Sequence, residues 1–307
     1  MAGTPPTLYG RNVTWLPSCQ ERAWVATMSD REQSVEQDRN FAIGRALRVL
    51  ELLAPAAKGM RLTDIATALG VNKAIAFRTL SALLQAGYVM KDEETERYMA
   101  TMKLASLGLR RLDVAKLDEW AQGLLDRLAD STHELVRLAV DDGDTLRWIA
   151  KAQGSNSRLI VDPVSGADVV LHATATGKAW LSVMADGDVV ALLGARGLYP
   201  VTAHTTTDLD ALLDELGMVR RQGYATVLEE MDEGINAIAA SITVGGPSGP
   251  RCVGTVSVAG PASRVTVGVL ESFVNPLLDT TADLSDQWQV YMRHASPLNV
   301  RREPVRG

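Results

Sequence analysis

The chain is predicted to be an α+β protein, with a winged helix-turn-helix ahead of a larger mixed domain. Three observations predict this. Amphipathic helical patterns on either side of Gly70-Val71 are followed by two strand-like triplets, Tyr88-Val89-Met90 and Tyr98-Met99-Ala100. Farther along, strands and helices mix around an apparently antiparallel sheet. The charge is also uneven: 40–104 holds nine Lys and Arg against six Asp and Glu, 1–39 stands at −1, and 105–307 carries −8. The net charge of −6 therefore hides a small basic domain joined to a large acidic one.

Residues 1–38 show no sustained period and are expected to be a mobile arm, in which Met28 offers an alternative start. Phe41, Ile43, Leu47, Leu50 and Leu53 then mark an amphipathic helix that ends near Ala54, because Pro55 cannot continue it. The next helix begins around Leu62, with Thr63 as its expected N-cap. After Gly70-Val71 a further helix runs from Lys73 to Gln85, buries Ile75, Leu80, Leu83 and Leu84, and stops at Gly87. The two triplets and the charged loop Lys91–Arg97 complete a winged domain over 39–102. A long helix, Lys103–Ala129, supplies a linker over 103–122, and its exposed leucines are expected to pair with a second chain.

The remainder, 123–303, reads as one domain. Leu135–Val140 and Leu146–Lys151 flank Asp141-Asp142-Gly143-Asp144, a hairpin signal. Leu209, Leu212, Leu213 and Leu216 mark a helix, with Thr207 and Asp210 resembling a capping box. Ile235–Val244 and Val253–Ala259 are strands, and a closing helix carries Val274, Leu277, Leu278, Leu284, Trp288 and Tyr291. Alternation gives the strands unlike faces. Ala237, Ala239, Ser241 and Thr243 lie on one side, and Ile238, Ala240, Ile242 and Val244 on the other. In the next strand, Val253, Thr255, Ser257 and Ala259 oppose Val256 and Val258. The small, partly polar face leaves space for a ligand or for a closely packed helix.

Composition excludes several classes. The 307 residues are 46% hydrophobic and 22% charged, as in a globular protein, and hold no run of about 18 apolar residues. Cys19 and Cys252 have no paired spacing, which argues against a disulfide scaffold and fits a reducing cytoplasm. His133, His172, His204 and His294 lack metal-ligand spacing, and no Gly-x-Ser-x-Gly elbow is present. Gly177-Lys178 fails as a phosphate loop, since a Walker A motif needs Gly at 172 and Ser or Thr at 179, where His172 and Ala179 stand. Glu229-Glu230 with Asp232-Glu233 reads as a solvated acidic loop rather than a catalytic cluster. No cofactor or metal is expected.

Chemistry concentrates in two places. Asn72-Lys73-Ala74-Ile75-Ala76-Phe77-Arg78-Thr79 offers polar and basic groups and no acid, which suits a helix in a DNA major groove. Asn72, Lys73, Ala74, Phe77 and Arg78 are its expected DNA contacts, with Arg45, Lys91 and Arg97 on phosphates. The segment His172–Leu181 opens a helix near Gly177 whose free N–H groups favour an anion.

In order and spacing, several motifs resemble the IclR family of bacterial transcriptional regulators. They are Arg45-Ala46-Leu47, Leu50-Glu51-Leu52-Leu53, Leu62-Thr63-Asp64-Ile65-Ala66, Arg78-Thr79-Leu80 and Gly87-Tyr88. Farther along come Leu171–Leu181, Val219–Tyr224, Glu229-Glu230 with Gly234, and Ser257-Val258-Ala259-Gly260-Pro261. The resemblance covers roughly 41–292. It implies a ligand-responsive regulator that binds double-stranded operator DNA as a dimer or dimer of dimers, expected to repress a catabolic operon. It also implies a GAF-like α/β domain that takes a small organic acid. Family positions for that acid match Ala175, Thr176, Val227, Ala237, Ser257 and Ala259 here, with Gly177 in the same turn and Trp148 as an apolar wall. Val227, Ala237 and Ala259 stand where members that bind small keto acids have an acid, Cys and Ser. Losing those polar groups favours a larger acid, best an aromatic carboxylate. The alternative is a small-molecule enzyme in the C-terminal domain, with the helix-turn-helix serving only dimerisation.

Overall fold

In the computed structural model, residues 42–115, 117–155, 160–161, 169–246 and 249–294 are described. The expected arm over 1–38 lies outside them. The chain divides into two compact units, 1–105 and 106–307.

In the first unit, α1 (Ala42–Leu53), α2 (Leu62–Ala68) and α3 (Lys73–Gln85) pack around a core of Val49, Leu50, Leu53, Ile65, Leu69, Leu80, Leu83, Val89 and Tyr98. The wing contains one strand more than the sequence pattern indicates. β1 (Met60–Arg61) joins β2 (Val89–Lys91) and β3 (Arg97–Ala100) in the antiparallel order β1-β3-β2. Two residues are too few to show a period, so β1 was not visible in the pattern. Thr63 is not the cap of α2: it lies inside that helix, whose N-cap is Arg61. Ile43 and Leu47 on α1, expected to face the core, are 78% and 55% exposed.

The predicted helix Lys103–Ala129 is two helices, α4 (Met102–Ala115) and α5 (Leu117–Thr132). Leu104, Leu107 and Leu109 on α4 are exposed, as a pairing surface requires. Leu124, Leu125 and Leu128 are not, because α5 belongs to the core of the second unit.

That core is organised by a five-stranded antiparallel sheet in the order β5-β4-β8-β7-β6. Its strands are β4 (Leu135–Asp141), β5 (Leu146–Gln153), β6 (Ala225–Leu228), β7 (Ile235–Gly246) and β8 (Gly249–Pro261). On one face, Val136, Leu138, Ile238, Ile242, Val256 and Val258 meet α5 and the closing helix α9 (Val267–His294). Trp120 and Trp288 seal this layer edge to face, with centroids 5.8 Å apart. On the other face the small residues fall in line: Ala237 opposes Ala259, Ala239 opposes Ser257, and Ser241 opposes Thr255.

Two bulges break the alternation assumed from the sequence. Opposite Leu138-Ala139, the register skips Ile149, so that Ala139 pairs with Trp148. Opposite Ile242-Thr243 it skips Val253, which therefore packs with Val256 and Val258 rather than beside Thr255. An inserted residue reverses every side chain beyond it, a change that strict period-two counting misses.

The small face is covered by α6 (Ala175–Leu181), with α7 (Asp186–Gly194) and α8 (Leu209–Gln222) completing the layer. Ala175 and Ala179 pack against Val219, Ala225, Val227 and Ala239. A close-packed helix on small residues is thus part of what this face does. Asp208 caps α8 by accepting from the Ala211 N–H at 2.8 Å, one residue later than the expected Thr207. Glu230 is not solvated: it and Glu215 hold the Lys178 ammonium, which is 1% exposed, at 2.6 and 2.7 Å. Replacing Lys178 with Met is expected to cost about 3–5 kcal/mol, because Glu230 keeps a buried charge with no cation. Urea denaturation of the purified variant measures this, and an unchanged midpoint contradicts it.

Candidate functional sites

Within the first unit, α3 buries one side and exposes the other. Thr79, Leu80 and Leu83 face inward, while Lys73, Ala74, Phe77 and Arg78 are exposed. Helical spacing puts Ala74, Phe77 and Arg78 on one side, and no residue of the helix is acidic. Gly70, at φ +65°, turns the chain sharply after α2. The C-terminal end is closed by Lys103, whose ammonium donates to the Ala86 carbonyl at 2.6 Å and lies over the Tyr88 ring.

The polar residues chosen for DNA divide into exposed and committed groups. Asn72 is the N-cap of α3, its Oδ1 accepting from the Ile75 N–H at 2.9 Å, so only its amide NH2 remains to offer. Lys91 is ion-paired with Glu96 at 2.5 Å, and that hydrogen bond raises its pKa. Arg97 donates to the Gly59 carbonyl at 2.8 Å and thereby ties the wing to the segment before β1. Arg45 is half-buried. Arg61, opposite Arg97 in the β1–β3 register, is an exposed cation that sequence reasoning missed, because β1 was not recognised.

In the second unit the predicted effector residues gather on the small face. Ala175, Val227 and Ala237 meet in one apolar cluster, Ala259 lies opposite Ala237, and Ser257 lies one row away. Thr176 and Gly177 are buried with the rest of α6. Gly177 does not present a free anion-binding N–H. Its amide donates to the Thr174 hydroxyl at 3.0 Å, and a Cβ there would meet the Leu171 carbonyl oxygen at 2.2 Å. Close helix packing, rather than a ligand, accounts for this glycine.

The residue that sequence reasoning missed on this face is Arg137. It opposes Ser257 across β4 and β8, and the bulge in β5 brings Trp148 onto the same side. The guanidinium carbon lies 3.9 Å from the centre of the Trp148 ring. Burial pushes the pKa of Arg137 down to about 10, and the nearby negative charge of Asp232 works against that fall. The side chain therefore remains cationic at neutral pH. Among the described residues, Arg137 Nε, Trp148 Nε1, Ser257 Oγ and Thr255 Oγ1 are buried without a hydrogen-bond partner. The visible signal was a lone charge inside the apolar run Leu135-Val136-Arg137-Leu138-Ala139-Val140.

Nucleophilic chemistry has little support nearby. Burial raises the Cys252 pKa to about 12, and its thiol donates to the Gly254 carbonyl. His172 is engaged with the Tyr199 carbonyl at 2.9 Å.

In the first unit, Arg78→Ala is expected to weaken binding to operator DNA by about 1–3 kcal/mol without changing stability. Asn72→Ala is expected to cost about 1 kcal/mol of stability as well, through loss of the cap. Fluorescence anisotropy and thermal melts separate the two effects, and equal behaviour of the variants contradicts the division.

Comparison with known proteins agrees with both units. Residues 42–93 match the IclR helix-turn-helix domain, and residues 109–286 match the C-terminal domain of bacterial transcriptional regulators of the IclR type. The Pca regulon regulatory protein of Pseudomonas putida is 28% identical over 266 residues, which are 86% of this chain and 90% of that protein. An IclR transcriptional regulator from Alicyclobacillus acidocaldarius superposes with a TM-score of 0.70 at 26% identity, covering 80% of this chain and 97% of the other. An IclR homologue from Microbacterium hydrocarbonoxydans, crystallised with 4-hydroxybenzoate, shares the fold with a TM-score of 0.67 at 18% identity, over 81% of this chain and 100% of its own. With a winged helix-turn-helix followed by the matching α/β domain, the chain belongs to the IclR family of DNA-binding bacterial transcriptional regulators.

Proposed function

We propose that this regulator is a homo-oligomeric, ligand-responsive repressor that binds operator DNA and senses a small organic acid, best an aromatic carboxylate. The observation that carries the reading is the small face of the sheet. Ser257 and Thr255 hold buried hydroxyls without partners there, between the apolar side chains of Ala237, Ala239 and Ala259. Buried polar atoms are ordinarily paired, so such a set is suited to a ligand that supplies the missing partners within apolar walls. The 4-hydroxybenzoate complex of the Microbacterium homologue makes that acid the first probe.

A second copy of the chain fits the first unit and α4. Ile43 and Leu47 on α1, and Leu104, Leu107 and Leu109 on α4, are exposed apolar side chains on helices. Two copies would present two α3 helices to the half-sites of a palindrome.

The test is fluorescence anisotropy of the protein with its own upstream intergenic DNA, at low and physiological salt, with benzoate, 4-hydroxybenzoate and pyruvate added in turn. The expected result is tight, salt-sensitive binding to that DNA over random sequence, shifted by an aromatic acid and not by pyruvate. A shift by pyruvate alone overturns the aromatic assignment, and binding unmoved by every acid that binds the protein overturns the ligand response.

A further inference from the structure

We propose that Arg137, stacked on Trp148, is the carboxylate receptor of the sensing domain and makes it select acids over their neutral analogues. The assignment rests on the organic-acid reading above and adds to it the residue and the interaction that discriminate.

Arg137 stands in the middle strand of three, β5, β4 and β8, beside Ser257, whose own neighbour in β7 is Ala239. Its register neighbours are Ser257 on β8 and Lys151 on β5, neither of them a carboxylate. Elsewhere in the same unit the buried or half-buried cations are matched. Lys178 holds Glu230 and Glu215, and Arg264 binds both oxygens of Glu134, by Nε to Oε1 and by a second nitrogen to Oε2 at 2.8 Å. Among the described residues Arg137 has no such arrangement: its Nε is buried without a hydrogen-bond partner there, and Asp232 acts on it through its charge.

A half-buried guanidinium whose Nε has no partner carries a cost unless something completes it. Its fork of N–H donors matches a carboxylate, with which it can make two parallel hydrogen bonds. Its place over the Trp148 ring limits the freedom of that fork in advance, which lowers the entropy lost when an anion docks. The Trp148 N–H and the Ser257 hydroxyl are further unsatisfied groups on the same face, suited to a carboxylate oxygen or a ring hydroxyl. The bulge at Ile149 is what makes the pair possible, because unbroken alternation would put Ile149, not Trp148, beside Ala139 on this side.

The experiment is isothermal titration of benzoate, 4-hydroxybenzoate and benzamide into wild type, Arg137→Met and Arg137→Lys, with thermal melts of each protein alone. Wild type is expected to bind the acids and to prefer benzoate to benzamide. Arg137→Met is expected to lose about 10- to 100-fold in affinity for the acids, the size of a lost charge-assisted hydrogen bond, while its weak affinity for benzamide stays the same. Arg137→Lys should recover part of the loss. The ligand-free melting temperature of Arg137→Met should hold or rise, since a buried Nε without a partner has been removed, whereas a purely structural arginine would lower it. Wild-type affinity for the acids in a folded Arg137→Met overturns the assignment and leaves the acid sensor standing. Failure of wild type to bind any of the acids overturns both.

Discussion

The second unit turns on the ammonium of Lys178. It sits in a helix of seven residues, every one of them buried, and is held by Glu230 from the turn between β6 and β7 and by Glu215 from α8. Thr206 adds to the same knot, its hydroxyl donating to Glu215 and its amide to Glu230. Three separate stretches of chain are thereby fixed around one charge. A short helix has little stability of its own, so tertiary contacts must hold it in place. Gly177 complements the ion pair by letting α6 approach the backbone of Leu171 at a distance no side chain would allow. The position of α6 over the sheet sets how much of the small face is filled by Ala175 and Ala179 and how much is left to Ser257, Thr255 and Arg137.

Periodicity carried much of the fold. The three helices of the DNA-binding unit, the hairpin β4–β5, the long pair β7–β8 and the closing helix all arise from apolar spacing and from Gly or Pro at their ends. What was hidden had local causes. β1 is two residues long and exists only because β3 lies beside it. The bulges at Ile149 and Val253 leave no mark in a hydrophobic pattern, yet each reverses the face of the residues beyond it. Thr63 lost the capping role to geometry, since α2 begins one residue before it. Charge partners separated widely in sequence, such as Lys178 with Glu230 or Glu134 with Arg264, cannot be paired from spacing alone. The same limit hid Arg137, whose Nε has no hydrogen-bond partner among the described residues.

The two units treat their cations differently, and this separates reading from holding. In the first, Lys91 and Arg97 are spent on the wing itself, so its geometry is set before DNA arrives. Lys73 and Arg78 on α3, with Arg61 on β1, are exposed. Preorganised elements lose less entropy on binding, and exposed cations on them give the salt dependence expected of a DNA reader. In the second unit the logic is inverted. There Lys178 and Arg264 are held by carboxylates, and Arg137 on the small face lies over the Trp148 ring.

Coupling between acid and DNA is the central claim, and linkage makes it measurable from the ligand's side. The most direct test is isothermal titration of 4-hydroxybenzoate into the protein, alone and saturated with its operator DNA. The expected affinities for the acid differ between the two, by the same factor by which the acid changes DNA affinity. Equal affinities in the presence and absence of DNA would contradict it.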